Sequence, residues 1–237
     1  MTGDAMILGL GPAEWQAVRL SLLVAATATL ASLPLALLVA YALARWRFWG
    51  REILNGLVHL PLILPPVVTG YILLQLFGRR GMVGAWLENS FGIVLSFQWT
   101  GAALAAGVMA FPLMVRALRL AIESVDSGVM DAAATLGASR PWVFMTITLP
   151  LILPGVIAGV ILGFAKALGE FGATITFVGA IPGQTQTIAS SIYIFLQTPD
   201  GGAVAHRLAA VSIIIAVGAL LVSEWLARRA AKWVGGR

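Results

Sequence analysis

Two ionisable side chains, Lys166 and Glu170, stand four residues apart inside apolar sequence. On a helix that spacing puts both on one face as an ion pair. A charge at membrane depth is a candidate for work on an ion pathway. The pair either neutralises itself, or Glu170 holds a neighbouring helix in place, or Lys166 contacts an ion directly. Little else in the chain could make or break bonds. There is no cysteine, which removes disulfides, thiolate metal sites and a cysteine nucleophile. His59 and His206 are far apart in sequence and lack ligand partners, so no metal site is expected, and His59 reads as a packed interior residue. No cluster joins a nucleophile, a base and an orienting acid. The only lysines, Lys166 and Lys232, are followed by Ala167 and Trp233. The Gly-rich phosphate loop ending in Lys-Ser/Thr is therefore absent.

The elements that must position this pair are membrane spans. The chain of 237 residues is 59% hydrophobic and 11% charged, with a mean hydropathy of +0.94. Soluble domains carry about 25% charged residues. The net charge of +5 would suit nucleic acid, but most of the cations flank the apolar runs, as membrane topology requires. No nucleic-acid partner is expected. The start lacks the basic stretch and small-residue cleavage site of a secretory signal. Asp4 and Glu14 precede the first apolar run, which is expected to remain as an uncleaved span.

A helix needs about 20 apolar residues to cross the hydrocarbon. Five segments meet that length: 18–43, 53–77, 97–120, 150–178 and 208–227. A sixth, 187–196, is too short, and turn signals at Pro182-Gly183 and Pro199-Asp200-Gly201-Gly202 bracket it. It is expected to be a surface or re-entrant helix. The fold class is thus an all-α integral membrane protein, a single transmembrane domain over residues 1–237. With the N-terminus outside, Arg45, Arg47, Arg51, Arg116, Arg119, Arg140, Arg228, Arg229, Lys232 and Arg237 fall on the cytoplasmic side. Only Arg19, Arg79, Arg80 and Arg207 fall outside, the asymmetry that sets orientation. Pro61, Pro65 and Pro66 exclude a straight second span, leaving a structural kink or a moving element. Gly155, Gly159 and Gly163 mark a face that another helix can approach closely.

This topology puts a polar loop of residues 123–150 in the cytoplasm. Asp126 or Ser127 is suited to cap a helix running to about Leu136, Gly137 to close it in the left-handed C′ position, and Pro141 to open the next. Glu123, Asp126 and Asp131 are expected near the start of that helix, where the macrodipole favours acids. Ala132, Ala133 and Ala134 make a narrow surface, and Ser139 and Arg140 form a turn. Trp142, Phe144 and Ile147 lead back to the membrane. A structured loop of this kind reads as a docking device for a partner.

The pattern Asp131-Ala132-Ala133, Gly137, Ile147, Leu149, Pro150 resembles the Glu-Ala-Ala loop of bacterial ABC importer permeases. It departs once, with Asp131 in place of Glu, which shortens the carboxylate by one methylene. The resemblance implies that Asp131, Ala132, Ala133, Gly137, Arg140, Ile147, Leu149 and Pro150 dock a separate P-loop ATPase, which would carry the ATP and magnesium. This chain itself would bind no cofactor. A second stretch, 164–177, resembles the Ala-Leu-Gly-Glu-Phe-Gly-Ala-Thr signature of the molybdate/tungstate and sulfate/thiosulfate permeases. It makes Lys166, Gly169, Glu170, Phe171, Gly172 and Thr174 candidates for the pathway or its gate. Further stretches, among them Gly78-Arg79-Arg80-Gly81 and Ser223-Glu224-Trp225-Leu226-Ala227-Arg228, resemble the molybdate branch. That implies an inner-membrane permease for molybdate, fed by a periplasmic molybdate-binding protein. A doubly charged oxyanion cannot enter hydrocarbon, and five spans with one docking loop are few for a wet path. Two copies at a two-fold axis would supply the path and two ATPase sites. Arg79 and Arg80 are either contacts for the binding protein or solvated loop charges. A sulfate, thiosulfate or tungstate permease is the alternative within the family, and a secondary transporter or channel the alternative outside it.

Overall fold

The computed structural model describes residues 10–235. Asp4 and Arg237 lie outside them, as do the side chains of Asp131, Arg140 and Lys232. The elements run α1 Pro12–Arg45, α2 Arg51–Ile63, α3 Pro66–Phe77, α4 Met82–Phe91, α5 Trp99–Glu123, α6 Ser127–Thr135, α7 Arg140–Val143, α8 Leu149–Leu168, α9 Gly172–Val178, α10 Ile188–Leu196 and α11 Gly202–Gly235. A π-helical turn, Phe144–Thr148, joins α7 to α8. Among the described residues four helices are long and apolar enough to span a membrane, and α2 with α3 makes a fifth if the bent pair counts as one.

The centre of the bundle is α5, packed against α1 and α8. The buried face of its N-terminal half is made mostly of small residues, including Gly101, Ala102, Ala103, Ala105, Ala106 and Ala110, while Met114, Val115, Leu118 and Ile122 fill the C-terminal half. In lipid, where no hydrophobic effect drives helices together, such faces let backbones approach for dispersion contact. The Gly155/Gly159/Gly163 face meets α5 as expected. A Cβ on Gly155 would lie 2.2 Å from the Cβ of Ala121, and one on Gly163 would lie 2.6 Å from Met114. By contrast α11 is almost unburied.

Two expected spans are broken. The segment 53–77 bends by 114° between α2 and α3. Leu64 and Pro65 are extended, with ψ of 144° and 134°, because a residue before proline is driven out of the α region. Pro66 then opens α3 at its first position, where a missing N–H costs nothing. The segment 150–178 stops at Leu168 and restarts at Gly172. At its other end, the π turn and α7 extend it back to Arg140. A third difference is α4, which was not expected. It opens after Gly81 and closes on Gly92 in the left-handed conformation, φ 67°, a stop that glycine makes cheaply.

The short helix was expected, and α10 runs over Ile188–Leu196 with Thr187 at its N-cap. The N–H of Ile188 donates to Ser21 Oγ at 2.7 Å, tying α10 to α1. At nine residues it is about 13 Å long, far short of a crossing.

Candidate functional site

The loop residues fold into a short helix, α6, with a stop at each end. The N–H of Gly128 donates to Asp126 Oδ1 at 2.8 Å, satisfying an otherwise orphaned donor at the start of α6. Gly137 has φ +82°, and the N–H of Ala138 donates back to Ala133 O at 3.2 Å. Together these form a Schellman stop. The spacing from Ala133 to Gly137 thus has a local cause: one supplies the carbonyl, the other the left-handed turn. Ala132 is exposed and Ala133 buried.

The expectation for the acids needs correction. Asp126 does precede α6, but Asp131 lies in its middle. Glu123 belongs to the end of α5, where Arg119 Nε donates to its Oε1 at 2.7 Å. The helical periodicity of α5 simply runs further than residue 120.

Sequence reasoning missed the residues that hold this loop to the bundle. Arg45, at the end of α1, donates from Nη2 to the carbonyls of Ile122 and Val125, each at 2.7 Å. It thereby caps the end of α5 where the loop begins. Tyr41 packs edge-on against Phe144 in the π turn, with ring centroids 5.2 Å apart. Arg51 donates through Nε and Nη2 to Leu43 O, fixing the turn between α1 and α2. The available signal was a basic residue at a helix end, which topology alone also explains.

The other candidate set surrounds the break after α8. Glu170 is 2% exposed, and both its carboxylate oxygens are used. Oε2 accepts from Lys166 Nζ at 2.6 Å, and Oε1 accepts from the N–H of Ala173 at 3.0 Å. The carboxylate therefore caps the start of α9 while it neutralises Lys166. Thr174 Oγ1 donates to Phe171 O at 2.8 Å, and the Phe171 ring lies 5.0 Å from that of Tyr193 on α10. Gly169 ends α8, with its N–H returning to Ala165 O. Gly172 meets Pro66 so closely that a Cβ would lie 2.7 Å from the proline Cβ. The bend of one hairpin therefore seats in the break of another. Gly70 continues the contact, with an added Cβ 2.5 Å from Ala173 O.

The loop set and the break set sit at opposite ends of α8, a helix of 20 residues that spans about 30 Å. Arg79 and Arg80 lie elsewhere, beside a shallow cavity of about 310 Å3 shared with Gln75, Ser96 and Phe97. Arg79 is largely exposed and 3.9 Å from Glu88, a surface pair worth little. His59 is half-buried, its Nδ1–H donating to Asn55 O at 2.8 Å. No group of three or more metal-ligating side chains occurs among the described residues.

Apolar helices in tight small-residue contact, a helix broken at a half-buried ion pair and a capped short helix define a multi-span helical membrane protein. A family described as "Binding-protein-dependent transport system inner membrane component" matches residues 32–234, and the chain belongs to it. The chain is 58% identical over 215 residues to the "Molybdenum transport system permease protein ModB" of Escherichia coli strain K12, covering 91% of this chain and 94% of that protein. It is 53% identical over 222 residues to the protein of the same name from Haemophilus influenzae, covering 94% and 97%. Against the "Sulfate transport system permease protein CysT" of E. coli strain K12 the identity is 37% over 202 residues, covering 84% and 73%.

Among solved structures, a bacterial ABC transporter involved in import of the acidic polysaccharide alginate matches with a TM-score of 0.70 at 20% identity, covering 94% of this chain and 81% of that one. The MetNI methionine ABC transporter in an inward-facing form matches with a TM-score of 0.70 at 14% identity, covering 97% and 99%. At these identities the likeness concerns the fold, which is that of an ABC importer permease.

Proposed function

We propose that the chain is the translocating subunit of an ATP-driven importer for molybdate, working as a homodimer around an alternating-access path. The observation that carries the cargo is the 58% identity, over nearly the whole of both chains, to a molybdenum permease. The sulfate permease stands at 37% and supports sulfate as the second reading. The capped helix α6 docks into a cytoplasmic P-loop ATPase, two copies of which serve the dimer and carry ATP and magnesium. The α6 end of the bundle faces the cytoplasm, and the N-terminus and Arg79/Arg80 face a periplasmic molybdate-binding protein. No cofactor belongs to this chain.

The broken segment acts as the gate. Glu170 has no free oxygen, so its work is positional: it fixes the start of α9 and holds Lys166. Opening the path moves α9 together with α3, because Gly172 and Gly70 leave no slack between them.

Uptake into vesicles containing the permease and its ATPase tests this. Purified binding protein loaded with molybdate, tungstate, sulfate or thiosulfate is supplied outside, with ATP inside. Molybdate should accumulate and sulfate should not; a preference for sulfate transfers the cargo to the second reading, and ATP-independent uptake defeats both. The Ala133→Asp variant should lose the ATPase from affinity-purified membranes, because it puts a charge on a buried position of α6.

A further inference from the structure

Between α2 and α5 lies a cavity of about 320 Å3 lined by Asn55, His59, Arg116, Arg119, Leu120 and Glu123. That is room for about ten waters at their share of liquid volume. Its walls are two polar stripes on otherwise apolar spans. Asn55 and His59 are one turn apart on α2; Arg116, Arg119 and Glu123 follow i, i+3, i+7 on α5, and both spacings line one helix face. Arg116 lies seven residues before the end of α5, about 10 Å inside the helix.

Arg119 is committed, its Nε to Glu123 and its Nη1 to Asn55 Oδ1 at 3.4 Å. That contact uses the Asn55 side-chain carbonyl oxygen and leaves its amide N–H groups without a hydrogen bond among the described residues. Arg116 has no hydrogen bond or ion pair among the described residues, and it is exposed. An unpaired guanidinium facing hydrocarbon is expensive. A guanidinium merely reaching for the membrane surface would need no asparagine and histidine on the facing helix. Counting Arg116 and Arg119 against Glu123, the walls carry one net positive charge before His59 is considered. A guanidinium fork and amide N–H donors are the chemistry that holds a tetrahedral oxyanion.

We propose that this cavity is an exit-side resting site for the transported oxyanion, with Arg116 as its principal ligand and Asn55 and His59 on the opposite wall. This rests on the reading of the chain as an oxyanion permease. The site lies near the α6 end of the path, away from the Lys166–Glu170 break. It gives the anion a charged step between the gate and the aqueous phase. Its single unpaired arginine keeps binding weak enough for release.

The chain contains no cysteine, so a single reporter can be placed at Leu120, which lines the cavity and is 60% exposed. The Leu120→Cys permease, assembled with its ATPase in nanodiscs, is labelled with a sulfonate-bearing or a trimethylammonium-bearing methanethiosulfonate. Labelling is read as the mass of the permease chain. We expect the anionic reagent to react faster, and Arg116→Gln to lower the anionic-to-cationic rate ratio by about tenfold. A unit charge about 6 Å away in water changes each rate a few-fold, in opposite directions. Arg116→Lys should preserve most of the ratio. Inorganic molybdate should slow labelling in the parent and not in Arg116→Gln.

No labelling by either reagent would mean a lipid-facing or closed surface and overturns the site. Protection that follows anionic phospholipid in the disc, and ignores added oxyanion, overturns it in favour of a headgroup. If uptake identifies another oxyanion as cargo, protection should follow that anion and the site stands. Working uptake with no protection by any of molybdate, sulfate or phosphate overturns the site alone.

Discussion

Replacing Arg45 by alanine should uncouple the surface helix from the bundle while leaving the spans intact. Arg45 makes two charge-assisted hydrogen bonds, to Ile122 O and Val125 O, both 2.7 Å long. Bonds to charged groups contribute about 1.5–3 kcal/mol each, so the gross gain is about 3–6 kcal/mol. Against it stands Arg45 Nε, buried without a partner among the described residues, which costs about 1–3 kcal/mol. The difference spans about 0–5 kcal/mol and centres on about 2.5 kcal/mol, on the order of fifty-fold in the equilibrium between a loop held on α5 and one released from it. The assay is ATP hydrolysis by the reconstituted complex, with and without loaded binding protein, alongside amide exchange over residues 124–140. Arg45→Ala should raise exchange in that segment by up to the same fifty-fold and reduce stimulation by the binding protein. Arg45→Lys should fall between, since an ammonium can serve the carbonyls but lacks the planar fork. Unchanged exchange together with unchanged stimulation would refute the reasoning, because it would show that the loop is held without α1.

Lys166→Met alone strands a buried carboxylate and should cost about 3–5 kcal/mol, whereas the double change Lys166→Met/Glu170→Gln should recover much of it; thermal unfolding in detergent reads both. Gly70→Ala forces a methyl to 2.5 Å from Ala173 O, a backbone atom that cannot swing away, so it should destabilise by about 1–3 kcal/mol and suppress uptake. Gly159→Ala meets only ordinary contacts at 3.5 Å and beyond. It should be neutral or stabilising by up to about 1 kcal/mol through helix propensity in the same unfolding assay. Asp126→Ala removes the acceptor for the Gly128 N–H and should cost about 1 kcal/mol of α6 stability, visible as faster exchange confined to that helix.

The membrane-spanning character, the approximate positions of the spans, the short α10 and the stop of α6 at Gly137 were all legible because each follows from local chemistry. Runs of apolar side chains, turn residues and a glycine that tolerates φ +82° act within a few residues of themselves. The ion pair was legible for the same reason, since i, i+4 geometry is a property of one helix. Periodicity failed at element ends. It carried 150–178 across residues 169–171, where apolar sequence lies on both sides of Glu170 but the backbone turns to let that buried carboxylate cap α9. It also passed over α4, whose polar residues resemble a loop.

Tertiary structure alone decided what these elements do to one another. Nothing in the composition of Arg45 distinguishes it from the other basic residues at span ends, yet among the described residues it alone reaches both Ile122 and Val125, across 77 and 80 positions of chain. The three prolines of the second span predict a bend, but its fit into the break at Gly172 depends on two distant segments meeting at 2.7 Å. Asn55 and His59 read as isolated polar residues until α2 is laid against α5 and Arg116 faces them. Short-range preferences are written in residue types, whereas the pairing of far-apart groups depends on how the spans pack, and small residues make that packing tight enough to be specific.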